Sequence, residues 1–327
     1  MAYFAQQLLN GLHMGALYAL LAYGYAITDG LLRRANLAHG ALFALGGQAM
    51  ILAATYGWTV LWLIRPLSLA FGVVVAFSLT GLAAYVVGRS VLQPLARQAP
   101  NTVMAATLAV AVVLGELGRF AFDSRDVWLS PVSMRTVTFW RDGDFAVTLT
   151  LVQIANIAVA VFTLALTSAI LSRSRFGASW RASCDDPLAA EMCGVDSSRI
   201  FRLSAVIAGG FAALAGIMAA VHFGNIGFGT GLFFGLKVLF VAALGFGRTP
   251  IAAAIGAAAV GLAESLWSGY FPIEWRDAAV FAALIAIFVL RPPADEVARQ
   301  HPPPCGEGAC ARSRKKRIDF GSIRDSF

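Results

Sequence analysis

FGTGLFFGLKVLFVAALGFGRTPIAAAIGAAAVGLAESLWS (228–268) holds two apolar runs, 228–246 and 250–268, parted by a short break around Arg248. Each run is close to the ~20 residues that an α-helix needs to cross a hydrocarbon core about 30 Å thick. Lys237, Arg248 and Glu264 are the only charges in the stretch. Two successive membrane spans, joined by a connection too short for a soluble domain, are the direct reading.

The composition extends that reading to the whole chain. Of 327 residues, 58% are apolar and 13% charged, with mean hydropathy +0.72. A soluble domain carries about 25% charged residues, and one this apolar could not cover itself with polar surface. A soluble enzyme, a nucleic-acid-binding module and a disordered scaffold are therefore excluded. The net charge of +7 does not imply nucleic acid, because the basic residues sit in short loops between apolar runs. Four cysteines, scattered at 184, 193, 305 and 310, do not make a disulfide framework. No cleavable signal peptide is expected at MAYFAQQLLNGLHMG.

Nine apolar runs are visible: 6–28, 37–56, 66–87, 102–122, 148–171, 201–221, 228–246, 250–268 and 275–290. The first two, rich in Gly and polar residues, could be broken or re-entrant. Loops following odd-numbered spans, with the tail, hold 18 of the 25 Lys and Arg; the other side holds six. The positive-inside rule puts the richer set in the cytoplasm. The expectation is an all-α, polytopic transmembrane helix bundle of eight or nine spans, N-terminus outside and C-terminus inside. Residues 1–292 form the membrane domain, and 293–327 a disordered, basic cytoplasmic tail. The external loop 123–147 reads as polar and turn-rich. Gly11-x-x-x-Gly15 and Gly231-x-x-x-Gly235 have the small-residue spacing of closely packed membrane helices.

No catalytic constellation is present: there is no HExxH, GxSxG, Walker A or CxxC motif. No cofactor or metal is expected, and His13, His39 and His222 stand apart in sequence. Charges inside spans are costly and mark a partner or a cavity. Glu116, Lys237 and Glu264 are the candidates, while Asp29 is expected to meet cytoplasmic water. Lys237 reads first as half of a structural ion pair with Glu116 or Glu264, and second as a solute-binding or gating group.

The cytoplasmic loop 172–200 is the most informative connection. Within it Asp186 is a good N-cap, Pro187 fits the first helical position and Gly194 suits a left-handed terminus. A capped two-turn helix is expected there. It is either an ordinary surface helix or a docking element through which a soluble motor moves a membrane domain. Leu188, Ala189 and Met192 would form its apolar face, with Arg181 and Arg199 beside it.

These residues resemble the membrane permease subunits of bacterial ABC importers for branched-chain amino acids and related amides, over about 1–292. Asn36-Leu37-Ala38-His39-Gly40 is similar to the family's Asn-Phe-Ala-His-Gly-like signature. RASCDDPLAAEMCGVD (181–196) resembles its coupling segment at Arg181, Ala182, Asp186, Ala190, Gly194 and Asp196, and 235–264 its closing spans at Lys237, Gly245, Gly247, Pro250 and Glu264. Phe246 and Arg248, the Ala35-Asn36-Leu37 start and the tail with Cys305, Cys310 and RSRKKR depart from the pattern. The resemblance implies a second, homologous permease subunit in a heterodimer, two ATPase subunits docking at 181–194, a periplasmic substrate-binding protein and a bacterial inner-membrane location. It does not choose between leucine-like amino acids, urea and short amides. The competing class is an ion-coupled secondary transporter, motivated by Glu116, Lys237 and Glu264.

Overall fold

A computed structural model describes residues 2–290, apart from 97, 124, 126, 134, 143, 144 and 244–248. The basic tail at 293–327 and the 245–248 stretch lie outside the described residues. Residues up to Leu284 form one compact unit; of the second unit only the end of the last helix, 285–290, is described.

Eleven helices follow in order among the described residues: α1 (Ala2–Leu32), α2 (Ala38–Thr59), α3 (Arg65–Leu95), α4 (Pro100–Ala121), α5 (Leu151–Arg173), α6 (Arg175–Asp185), α7 (Pro187–Met192), α8 (Ser197–Phe223), α9 (Thr230–Ala243), α10 (Pro250–Tyr270) and α11 (Arg276–Leu290). Every one of the nine apolar runs contains a helix, and α1 and α2 are each continuous. Six helices (α2, α3, α4, α5, α8 and α10) are long and apolar enough to cross a membrane. Two others, α9 and α11, are 14 and 15 residues. Helix α1 has 31 residues, but Tyr, Gly and His dilute its apolarity. Its position explains the tolerance: α1 packs against α10, α8, α5 and α9, so protein covers it from Leu17 to Thr28, while Tyr3, Phe4, Leu8 and Leu12 stay exposed. Helices α2 and α8 are enclosed in the same way, whereas α5 is largely uncovered.

The all-α expectation needs one correction. Strands β1 (Thr136–Asp142) and β2 (Phe145–Thr150) pair as an antiparallel hairpin that begins in the 123–147 loop and extends to Thr150. Thr-Val-Thr-Phe-Trp and Phe-Ala-Val-Thr-Leu-Thr are β-branched and aromatic runs on either side of an Asp-Gly turn signal. The fifth helix accordingly begins at Leu151 rather than 148, with Thr150 and Gln153 forming a reciprocal capping box. The Gln6 side chain bonds both backbone groups of Thr148, at 2.8 and 2.9 Å, fastening the hairpin to the start of α1.

Small residues set the closest crossings. Gly15 of α1 meets Gly261 and Ala258 of α10. Gly40 of α2 lies directly on Gly231 and Gly235 of α9, and a Cβ at Gly40 would fall 2.5 Å from the Gly235 Cα. The obstacle is backbone, which cannot rotate away as a side chain can. Gly40→Ala is therefore expected to exceed the 1–3 kcal/mol typical of overpacking and to lower the yield of folded, membrane-inserted protein several-fold. Wild-type yield and thermal stability of the variant in detergent would contradict this crossing.

Candidate functional site

Helices α1, α9, α10 and α11 meet around one buried charge cluster. Lys237 and Glu264 are each 3% exposed. The Lys237 ammonium lies 3.0 and 3.1 Å from the two Glu264 oxygens and 2.9 Å from Asp277 Oδ1. Tyr18 donates to Glu264 Oε2 at 2.6 Å, and Arg276 Nε reaches Glu264 Oε1 at 3.2 Å. Of the two partners considered for Lys237, the fold supplies Glu264. Glu116 is on α4, half-exposed, and pairs with Arg119 one turn away at 2.6 Å. Tyr18, Arg276 and Asp277 were not among the sequence candidates: Arg276 and Asp277 read as the start of a span, and a tyrosine in an apolar run carries no signal of its own. The cluster holds four helices together, because an ammonium and a carboxylate removed from water are stable only when paired and hydrogen-bonded.

The Asn36-Leu37-Ala38-His39-Gly40 segment is the joint between α1 and α2. The Asn36 side chain accepts from the Ala38 N–H at 3.1 Å, and His39 Nε2 sits 3.0 Å from the Leu21 carbonyl. Both side chains are buried, and every contact they make here is internal to the bundle. The histidines are less separate than their spacing implied. The rings of His13 and His222 lie 4.1 Å apart, and Asn156 Nδ2 is 3.1 Å from His13 Nε2. No group of three or more metal-ligating residues occurs among the described residues.

The 172–200 loop contains two helices where one was expected. The first, α6, is capped by Ser174, whose side chain accepts from Gly177 N–H at 3.1 Å. It was missed because it is short and polar overall; its apolar face, Phe176, Trp180 and Cys184, spans only three turns and packs on the bundle. Trp180 Nε1 donates to the Ile27 carbonyl at 3.1 Å, and the Arg33 guanidinium donates to the carbonyls of Cys184 and Asp185, so α6 is strapped beneath the end of α1. Arg181 donates to the Leu171 carbonyl at 2.6 Å.

The second is α7. Asp186 accepts from the N–H groups of Leu188 and Ala189 at 2.9 and 3.1 Å, and Pro187 occupies the first turn. At the other end Val195 N–H bonds the Ala190 carbonyl, Gly194 N–H bonds the Glu191 carbonyl, and Gly194 has φ +85°. That is a complete Schellman closure, which favours glycine at the left-handed position. Ala190 is buried beneath the helix, while Leu188 is 63% and Met192 90% exposed. A short helix closed at both ends thus presents two large apolar side chains, one turn apart, to the outside.

The cysteines report on this region. Burial pushes the Cys184 thiol up to about 12, so almost no reactive thiolate exists at neutral pH; Cys193 is exposed. In a Cys305→Ser, Cys310→Ser background, maleimide is expected to modify Cys193 readily and Cys184 hardly at all between pH 7 and 9. Peptide mass spectrometry showing equal modification would contradict the packing of α6.

A bundle in which six helices are long and apolar enough to cross a membrane, with its charges buried as pairs, is that of a multi-pass membrane protein. The chain belongs to the family described as branched-chain amino acid transport system / permease component, whose model matches residues 7–289. It is 30% identical over 296 residues to the high-affinity branched-chain amino acid transport system permease protein LivH of Escherichia coli strain K12, covering 89% of this chain and 94% of that one. The Salmonella typhimurium LivH protein matches equally, and BraD of Pseudomonas aeruginosa is 26% identical over 291 residues with the same coverage. Among solved structures, PsaBC from Streptococcus pneumoniae in complex with Fab covers 89% of this chain and 94% of its own at 12% identity and TM-score 0.44, too distant for its geometry to bear on the site.

Proposed function

We propose that this chain is the membrane-spanning permease subunit of an ATP-driven importer for branched-chain amino acids. It pairs with a second, homologous permease subunit and is served by a periplasmic binding protein. Eight or nine of its apolar helices cross a bacterial inner membrane, N-terminus outside, so the 172–200 loop faces the cytoplasm. Two ATPase subunits supply the energy, one of them seated on α7. The observation that carries this reading is the exposure of Leu188 and Met192 on a rigid, doubly capped helix: an amphipathic helix docks by filling a groove with such side chains. Family membership and the names of its relatives support the solute class.

An ion-coupled mechanism finds less support. Both Glu264 oxygens and the Lys237 ammonium are already engaged with each other and with Tyr18, Arg276 and Asp277, leaving no idle buried carboxylate there to carry a cation. The test is uptake into proteoliposomes holding both permease subunits, the ATPases and the binding protein. ATP should drive accumulation of leucine, isoleucine or valine in preference to urea and short amides. Uptake driven by an ion gradient without ATP would overturn the proposal.

A further inference from the structure

The geometry points to a binding site for an aliphatic α-amino acid in the cavity at the corner of α1, α5, α6, α9 and α10. This rests on the solute class proposed above. The cavity holds about 750 Å³, within the 300–1,000 Å³ typical of ligand sites. Its wall carries charges of both signs, Asp29 and Asp185 with Arg33, Arg34 and Arg181, and Asp29 and Arg34 are the two of opposite charge with unmet bonding capacity that face burial. Asp29, on the last turn of α1, is partly buried and has no ionic partner among the described residues. The Nε of Arg34 is buried without a hydrogen-bond partner there. Arg33 commits one nitrogen, Nη2, to the Cys184 and Asp185 carbonyls, and Arg34 Nη1 donates to the Arg33 carbonyl at 3.2 Å, which leaves Arg34 Nε to be satisfied.

Arg33 also has φ +50°, a left-handed conformation unfavourable for a non-glycine residue. Such strain persists where surrounding contacts hold it, and here the straps to α6 do so. The turn at Arg33 leaves Asp29 and Arg34 bordering one space. Most of the remaining wall is apolar, including Tyr23, Leu171, Leu239 and Ile251.

A zwitterion matches this arrangement. Its ammonium answers Asp29, its carboxylate answers Arg34, and an aliphatic side chain lies on the apolar wall. A simple anion would leave a carboxylate facing negative charge, and a simple cation would face the guanidinium. Because α6, which lines the cavity through Trp180, Arg181, Cys184 and Asp185, runs directly into α7, the occupant sits against the helix that leads into the segment proposed to meet the ATPase.

The test is equilibrium binding of radiolabelled leucine to the assembled permease–ATPase complex in nanodiscs without the binding protein, where both faces are accessible. Saturable binding to wild type is expected, weakened about tenfold or more by Asp29→Asn and by Arg34→Gln, and partly restored in Arg34→Lys. Unchanged binding in both variants overturns the proposal, as does no saturable binding to wild type up to millimolar leucine. Loss of co-purifying phospholipid in Arg34→Gln, with leucine binding intact, assigns the cavity to a lipid headgroup and also overturns it. If ATP-driven uptake into empty vesicles persists while this binding is absent, only this site is refuted. Leucine binding without ATP-driven uptake refutes the importer reading instead.

Discussion

Replacing Lys237 with alanine is expected to remove most of the folded protein from the membrane. The substitution leaves the Glu264 carboxylate buried at 3% exposure with its main counter-charge gone. Breaking a buried pair from one side costs about 3–5 kcal/mol, a large part of the total stability of an ordinary domain. Removing both charges should be far milder. In Lys237→Met with Glu264→Gln, the glutamine carbonyl can still accept from Tyr18, and Arg276 and Asp277 remain 3.4 Å apart near the surface. Quantitative immunoblotting of membranes should show the single variant depleted and the double variant largely recovered. Normal abundance of the single variant with poor uptake would move Lys237 from a structural to a solute-handling role.

Leu188→Asp should abolish transport while leaving insertion and pairing with the sister subunit intact. Leu188 is mostly exposed, so a charge there adds little folding cost but disrupts an apolar contact. Flanking ion pairs cannot compensate, since exposed pairs contribute only about 0–1 kcal/mol each. Gly194→Val should act differently. A Cβ at Gly194 meets nothing within 4 Å, so space is not the obstacle. The obstacle is φ +85°, where an L-residue costs about 1–2 kcal/mol and a β-branched one more. Opening that closure would tilt α7 relative to α8. ATPase co-purification and stimulated ATP hydrolysis are the readouts; wild-type values in both variants would show that α7 is not the dock.

Patterns that depend only on neighbouring residues were readable from the chain alone. Apolar length located the nine helical runs, and Asp186-Pro187 with Gly194 located α7, because a cap is a local chemical event. Proximity was not readable. Nothing in the spacing of Tyr18, Lys237, Glu264 and Asp277 shows that four helices bring them together, and Glu116 was as good a partner for Lys237 on paper. Asp29 was expected in open water, yet it borders a cavity whose far wall comes from α6 and α10. The hairpin and α6 escaped for another reason: short strands and polar helices lack the long apolar period that marks a span.

Helix α1 is fastened at both ends. Gln6 grips the β2 backbone near its start, and Ile27 and Arg33 hold α6 at its finish. Its 31 residues make an unbroken rod about 46 Å long. A rod clamped at each tip behaves as a pushrod. A displacement of the α6–α7 elbow along the axis of α1 would have a continuous helix, and no loop, between it and the hairpin. One unbroken helix thus bridges the two ends of the bundle, and a label on the hairpin is the place to look for motion begun at the elbow.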